Sequence, residues 1–430
     1  MIDIIDWSSS DCPLRKKKIM QRSAVDVAEV LPGVRSWVDR VKREGDAALI
    51  AYAMEFDKIC FTSDTLRVSR QEIEEAYGKV APETLAAIRR QVALSRAFQE
   101  RQCAPTEFRL REVVHGVLTG KRISPIESVG LYVPAGSAPL PTVMQVLGTA
   151  AKAAGVPRIV ACFPPQGRLP EMLIAADLAG VDELYCIGGV AGIAAMAYGT
   201  ETLAPVAKIV GPGSVYVQAA KALVRDDVAI DMIAGPSEGL MLADARANPT
   251  YIAADVLAKA EHDPNAAGVV VTWSLDLASK VRQEVDRLCE GLMRIKIIRK
   301  ALQRYCAVVL VKDLDAAIDF ANQYSPEHLE VLVEDPLSLL PRLRNAASIF
   351  LGDYAPIAVG DYASGTNHVL PTGIWPRTCS PVSVRTFQKE SEVQYLTKEG
   401  LSNLREIVQR ISAVEGLDAH RLSVDVRFSS

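Results

Sequence analysis

The segments SVGLYVP (128–134), TVMQVLGTAAKAAGV (142–156), RIVACFP (158–164), EMLIAADLAGV (171–181) and ELYCIGG (183–189) alternate short, continuously apolar runs with longer ones. Runs without polar alternation suit strands buried on both faces, and the longer segments suit the helices that cover them. The order β-α-β-α then requires a mainly parallel sheet. GIAAMAYG (192–199), KIVGPG (208–213) and SVYVQAAKALV (214–224) continue the series. A second series follows in GLMLAD (239–244), TYIAADVLAKAEH (250–262), GVVVTW (268–273), AVVLVKD (307–313), LDAAIDFANQY (314–324) and SIFLGDY (348–354). The expected fold class is therefore α/β, with two Rossmann-like parallel-sheet domains.

Outward from this core, residues 23–57 and 69–102 place apolar residues at helical spacing, and SNLREIVQRISAV (402–414) does so near the other end. The expected organisation is a helical region over 1–127 packed on the first α/β domain, a nucleotide-binding domain over 128–237, a second α/β domain over 238–380, and a tail over 381–430. The tail reads as a loop, one helix and a short extended segment. The uncharged stretch 128–151 is long enough to span a bilayer, but Gly130, Pro134, Gly136, Pro139 and Pro141 interrupt it, so it reads as strand, loop and helix.

Composition narrows the function. There are 48 basic and 52 acidic residues, a net charge of −4, with 49% hydrophobic and 23% charged residues. That balance predicts neither nucleic acid nor an anionic membrane as the main partner, and leaves a small molecule. The eight cysteines include no CxxC pair, which argues against a disulfide framework or zinc ribbon and fits a reducing cytoplasm. MIDIIDWSSSDCPLRKKK lacks the apolar core of a secretory signal.

Ligands of open parallel sheets bind beyond the carboxyl ends of strands. VPAGSAP, IGGVAG, VGPGS and MIAGPSE are Gly-rich loops of the kind that cradles a pyrophosphate at a helix start, although none spells GxGxxG. The chain has five histidines. His115, among β-prone residues, reads as structural or surface. His262, His328, His368 and His420 each stand near a carboxylate, the side-chain set of zinc sites and of general bases alike. In SPEHLE (325–330), Ser325 reads as a helix N-cap and Pro326 as the first helical residue. Glu327 and His328 would then sit in the first turn, where the helix dipole favours a neutral imidazole.

GPGSVYVQAAK (211–221), IDMIAGPSE (230–238), AEHDPNA (260–266), SPEHLEVLVEDP (325–336), GDYASGTNHVLPTG (360–373) and EGLDAH (415–420), in that order, resemble the histidinol dehydrogenase family. The similarity runs from GVRSWVDRVKREGDAAL (33–49) to the tail. The resemblance implies a zinc-assisted, four-electron oxidation of L-histidinol to L-histidine through the aldehyde. It also implies two NAD used in succession and an intertwined homodimer with shared active sites.

By motif position, the resemblance makes Glu327 the residue that activates water and His328 the base that takes the hydroxyl proton. His262, Asp361 and His420 correspond to zinc ligands. Lys259 stands where the family has a glutamine ligand, and an ammonium beside a dication is repelled, so weaker zinc binding is expected. Ser237, His368 and Glu415 correspond to substrate contacts; Lys259, His262, His328, Asp361 and His420 also face the substrate. Glu415 and His420 would come from the partner subunit. Tyr132 corresponds to an NAD contact, while Ala191 and Ser214 replace a glutamine and an asparagine, which shortens or removes two polar NAD contacts. Two other readings stay open: a sibling dehydrogenase acting on another polar primary alcohol, such as a sulfonated diol, and a non-catalytic ligand-binding paralogue.

Overall fold

Strands Glu238–Ala243, Ala267–Thr272, Ala307–Leu310 and His328–Leu332 are buried at almost every position, and the pleat sends alternate side chains to opposite faces. Met241, Val270 and Val308 enter one core with helices Pro249–Ala260, Leu275–Cys289 and Ile295–Arg304. Leu240, Leu242, Val269, Val271, Leu329 and Val331 enter another with helix Leu314–Tyr324. Both faces are thus covered, as a parallel sheet requires. Caps set the helix starts: Asn248 accepts from Thr250 N–H at 2.9 Å, and Asp313 from Ala316 N–H at 2.9 Å.

The computed structural model describes residues 2–22, 27–103, 108–135, 139–232 and 234–429. Residues 136–138 of the VPAGSAP loop and residue 233 of MIAGPSE lie outside the described residues. The chain divides into two compact units, Met1–Gln102 with Ile126–Phe387, and Cys103–Pro125 with Gln388–Ser430.

The first unit holds two parallel sheets of the same winding. One has the order Glu183–Tyr185, Arg158–Cys162, Ser128–Tyr132, Lys208–Val210, Ala229–Ile230. The other runs Asp3–Asp6, Ala307–Leu310, Ala267–Thr272, Glu238–Ala243, His328–Leu332, Ser348–Leu351. From Ser128–Tyr132 in the first sheet and from Glu238–Ala243 in the second, the chain winds out in one direction and returns to the other side, with Asp3–Asp6 added at one edge of the second sheet. The second unit, taken alone, is an antiparallel sheet of Gln388–Leu396, Val117–Pro125 and Arg111–Val114, with helices Lys398–Glu415 and Asp418–Asp425.

Three expectations need correction. Residues 1–127 are not helical throughout: Asp3–Asp6 pairs with Ala307–Leu310 as an edge strand, and Arg111–Val114 and Val117–Pro125 form a hairpin. The tail carries a nine-residue strand and two helices, so His420 lies on a helix and not in an extended segment. Lastly, SPEHLE does not start a helix. Ser325 has φ 53° and ends helix Leu314–Tyr324 in the left-handed conformation, and His328 is the first residue of a strand. Pro326 cannot continue the preceding helix, and HLEVL is buried between two partner strands, so tertiary pairing overrides the local N-cap signal.

Candidate active site

His328 pairs in register with Gly239, and Ser237–Glu238 lies beside it, so the chemistry gathers at the amino ends of two adjacent strands. The sequence predicts ligands beyond the carboxyl ends; these residues lie at the opposite edge of the sheet. Helix Pro249–Ala260 returns to the amino edge, bringing Lys259 in its last turn and His262 in the turn after it. Asp361 comes from the short helix Ile357–Tyr362 and His368 from the loop that follows.

The centre is a chain of polar contacts. Ser237 Oγ donates to Glu327 Oε2 at 2.9 Å, and Glu238 N–H donates to the same oxygen at 2.8 Å. His328 Nδ1 lies 3.0 Å from the Glu238 carbonyl and 3.3 Å from Glu327 Oε2. A carbonyl can only accept, so Nδ1 carries a hydrogen. Nε2 makes no hydrogen bond among the described residues and lies 3.6 Å from Asp361 Oδ1. The other Asp361 oxygen, Oδ2, is 3.5 Å from Lys259 Nζ, whose side chain is 1% exposed. His262 and His368 are within electrostatic reach of Asp361 and Lys259.

These neighbours set the charges. Burial pushes the Glu327 carboxyl up, but His328, Lys259 and the Glu238 N–H outweigh it and hold it below the usual range. Burial and Lys259 oppose a charged His328; the Glu327 and Asp361 carboxylates overcome them and raise its pKa above the ordinary value. The expected neutral imidazole at a helix start is thereby corrected, because no helix dipole acts and two acids do. Burial and Lys259 push His262 down, although the residue keeps an exposed face. Burial also lowers His368. Asp361 is pulled well below the usual range: burial opposes the shift, and Lys259 and His328 drive it.

Several neighbours were not singled out from the sequence. Glu238 is buried and ion-paired with Arg22 Nη1 at 2.6 Å, and burial pushes its carboxyl to about 7. Arg22 also lies over the Tyr324 ring, 3.7 Å from its centroid. Asp255 and Glu330 form a hydrogen-bonded buried acid pair next to Lys259. Asp255, one helical turn before Lys259, was the legible signal. A cavity of about 850 Å³ opens beside Ser237 and Glu238, lined also by Arg22, Asn265, Tyr305 and Trp375, and has the size of a small-molecule site.

The cofactor candidates lie at the other sheet. Tyr132 ends the strand next to Lys208–Val210, at the point where the winding reverses, and its hydroxyl accepts from Gly189 N–H at 2.9 Å. Gly211 has φ 139°, and a Cβ there would meet the Tyr132 carbonyl at 2.1 Å, so only glycine lets the backbones come this close. Ser214 is exposed and caps helix Val215–Val224 without a side-chain bond, which leaves the helix amino end open. Ala191 is buried in helix Gly189–Tyr198. A dinucleotide fits such a cradle through backbone contacts. Glu415 and His420 are exposed in the second unit, and so is His115, between Glu112 and Glu399 at 3.5 Å each.

Zinc fits less well. Of the four ligand positions implied by the resemblance, the first unit holds His262, Asp361 and Lys259, and the ammonium of Lys259 is ion-paired to Asp361. Among the described residues no group of three or more His, Cys, Asp or Glu is arranged to hold a metal.

Residues 20–428 match the family model described as histidinol dehydrogenase. A histidinol dehydrogenase of Methanothermobacter thermautotrophicus is 46% identical, covering 94% of this chain and 95% of its own. One of Aquifex aeolicus is 42% identical, covering 98% and 97%. The crystal structure of histidinol dehydrogenase from Elizabethkingia anophelis superposes with a TM-score of 0.93 at 35% identity, covering all of this chain and 98% of the other.

Proposed function

We propose that this chain, which belongs to the histidinol dehydrogenase family and is an oxidoreductase acting on alcohol and aldehyde groups, catalyses the NAD-dependent, four-electron oxidation of L-histidinol to L-histidine in the cytoplasm. The observation that carries the reading is the contact chain Ser237–Glu327–His328–Asp361 at the amino ends of two buried strands.

In the first oxidation the substrate hydroxyl gives its proton to His328 Nε2, since Nδ1 is already committed to the Glu238 carbonyl. The Tyr132–Gly211 turn would hold NAD, which would supply the hydride acceptor for both steps. In the second oxidation Glu327, held ionised, takes a proton from the water that attacks the aldehyde carbon. Its Oε2 is fixed by Ser237 and Glu238, which leaves Oε1 for the water. Loss of the second hydride gives the carboxylate. No step is routed through zinc, because Lys259 stands among the residues that would hold it.

The active form is a homodimer. The second unit exposes Ile407, Ile411 and Val414 at helical spacing on helix Lys398–Glu415, with Leu417 and Leu422 exposed just beyond it, an apolar surface that suits a second copy of the chain. Glu415 and His420 lie along it, and we assign them to the partner's active site.

The test separates the two steps. Glu327→Gln should slow aldehyde oxidation by about 100-fold or more while alcohol oxidation continues, so that the aldehyde is trapped by a carbonyl reagent. Equal, mild effects on both steps would reject the assignment.

A further inference from the structure

We propose that Lys259 is the resident cation of this site, seated where the family resemblance puts a metal ligand, and that the chain turns over without zinc. The proposal rests on the dehydrogenase reading above and adds how the site obtains its positive charge.

Three observations carry it. The Lys259 side chain is 1% exposed, and a lysine is buried this deeply only where acids compensate it. Its partner is Asp361, and the carboxylate's oxygens are divided, Oδ2 facing Lys259 Nζ at 3.5 Å and Oδ1 facing His328 Nε2 at 3.6 Å. Both oxygens of the acid that would ligate a metal thus already face side-chain nitrogens of the protein. Second, the surroundings are shaped to the lysine. A Cβ on Gly239 would come within 3.0 Å of Lys259 Cγ and 3.1 Å of Ile357 Cδ1, so the glycine provides the room its stem occupies. The buried acids Asp255 and Glu330 are both within electrostatic reach of Lys259. Third, a dication bound to Asp361 would stand within a few ångströms of the ammonium in a water-poor site, where like charges repel strongly.

Lys259 is then a positioning residue. It pins Asp361, and Asp361 faces the nitrogen of His328 that receives the substrate proton. The atom balance of the alcohol step is unchanged: the hydroxyl proton goes to His328, the hydride to NAD, and the C–O bond becomes a carbonyl. The charge building on the substrate oxygen is met by the field of the buried ammonium.

The experiment measures zinc in the purified full-length protein by mass spectrometry, before and after EDTA dialysis, and in parallel NADH formation from L-histidinol. The wild type should hold substoichiometric zinc, and its activity should be unchanged by EDTA or added zinc. Lys259→Gln, which replaces the ammonium with a neutral oxygen donor, should raise zinc affinity about tenfold or more in chelator competition; Lys259→Arg, which keeps the charge, should not. Stoichiometric zinc in the wild type with loss of activity on chelation would overturn the proposal, as would equal zinc affinity in the wild type and Lys259→Gln. Should Lys259→Gln fail to fold, the wild-type zinc content decides alone. If no form makes NADH from L-histidinol, the substrate reading fails, and the zinc measurements still decide this inference.

Discussion

At His328 the two ring nitrogens have different partners: Nδ1 is tied to the Glu238 carbonyl, and Nε2 faces Asp361 Oδ1 at 3.6 Å. Against burial and Lys259, the two flanking carboxylates raise its pKa, so the imidazolium persists above the ordinary value of 6.5. A general base works only after losing that proton. The rate of alcohol oxidation should therefore be low in acid and rise with pH, with an apparent pKa above 6.5. His328→Asn should remove this limb and cost about 100-fold or more in kcat/KM. A limb that stays unchanged in His328→Asn belongs to another group. For stability the sign is reversed: a raised histidine pKa contributes stability below the unfolded value of about 6.5 and loses it as pH rises through the folded one. Activity and the His328 share of stability thus pull in opposite directions across this range.

Just past the ends of strands Lys208–Val210 and Ala229–Ile230, the buried side chain of Lys221, from helix Val215–Val224, makes an ion pair with the buried side chain of Asp231 and donates to the Gly211 and Met232 carbonyls at 3.0 and 2.7 Å. Asp231 in turn accepts from Gly211 N–H at 2.8 Å, so one pair fixes both the GPG turn and the loop running toward Ser237. Lys221→Met should leave Asp231 charged and unpaired, lowering unfolding free energy by about 3–5 kcal/mol in denaturant titration. A change under about 1 kcal/mol would mean that the loops hold themselves. Most elements here were legible because apolar runs and helical periods point the same way. SPEHLE was not: Ser-Pro carries the same local signal after a helix as before one, and only the pairing of HLEVL inside a sheet distinguishes them. The strand Gln388–Leu396 was missed for a related reason. Mostly exposed, it carries little apolar pattern and is defined by its partner Val117–Pro125.

For the whole molecule, two doubly wound parallel sheets could be read from the order of the segments, and the family from its motifs. Which strand ends would meet could not be read. Ser237, Lys259, Asp361 and His328 are far apart in sequence, and nothing in their spacing says that they converge at amino ends rather than carboxyl ends. The resemblance already puts Lys259 and Asp361 in one ligand set; that they meet as an ion pair is what the structure adds. The fold thereby places Glu327, His328, the buried Lys259 and a cavity of small-molecule size in one unit, with the close Tyr132–Gly211 approach at its other sheet. The proposed reaction uses these parts for two successive oxidations of one substrate. The most direct measurement is the NADH formed per L-histidinol consumed by the purified protein, with the product identified by mass spectrometry. The account predicts about two NADH and L-histidine as the only accumulating product, as the four-electron reaction of a general base with hydride acceptors requires. No NADH, or a single NADH with the aldehyde as end product, would contradict it.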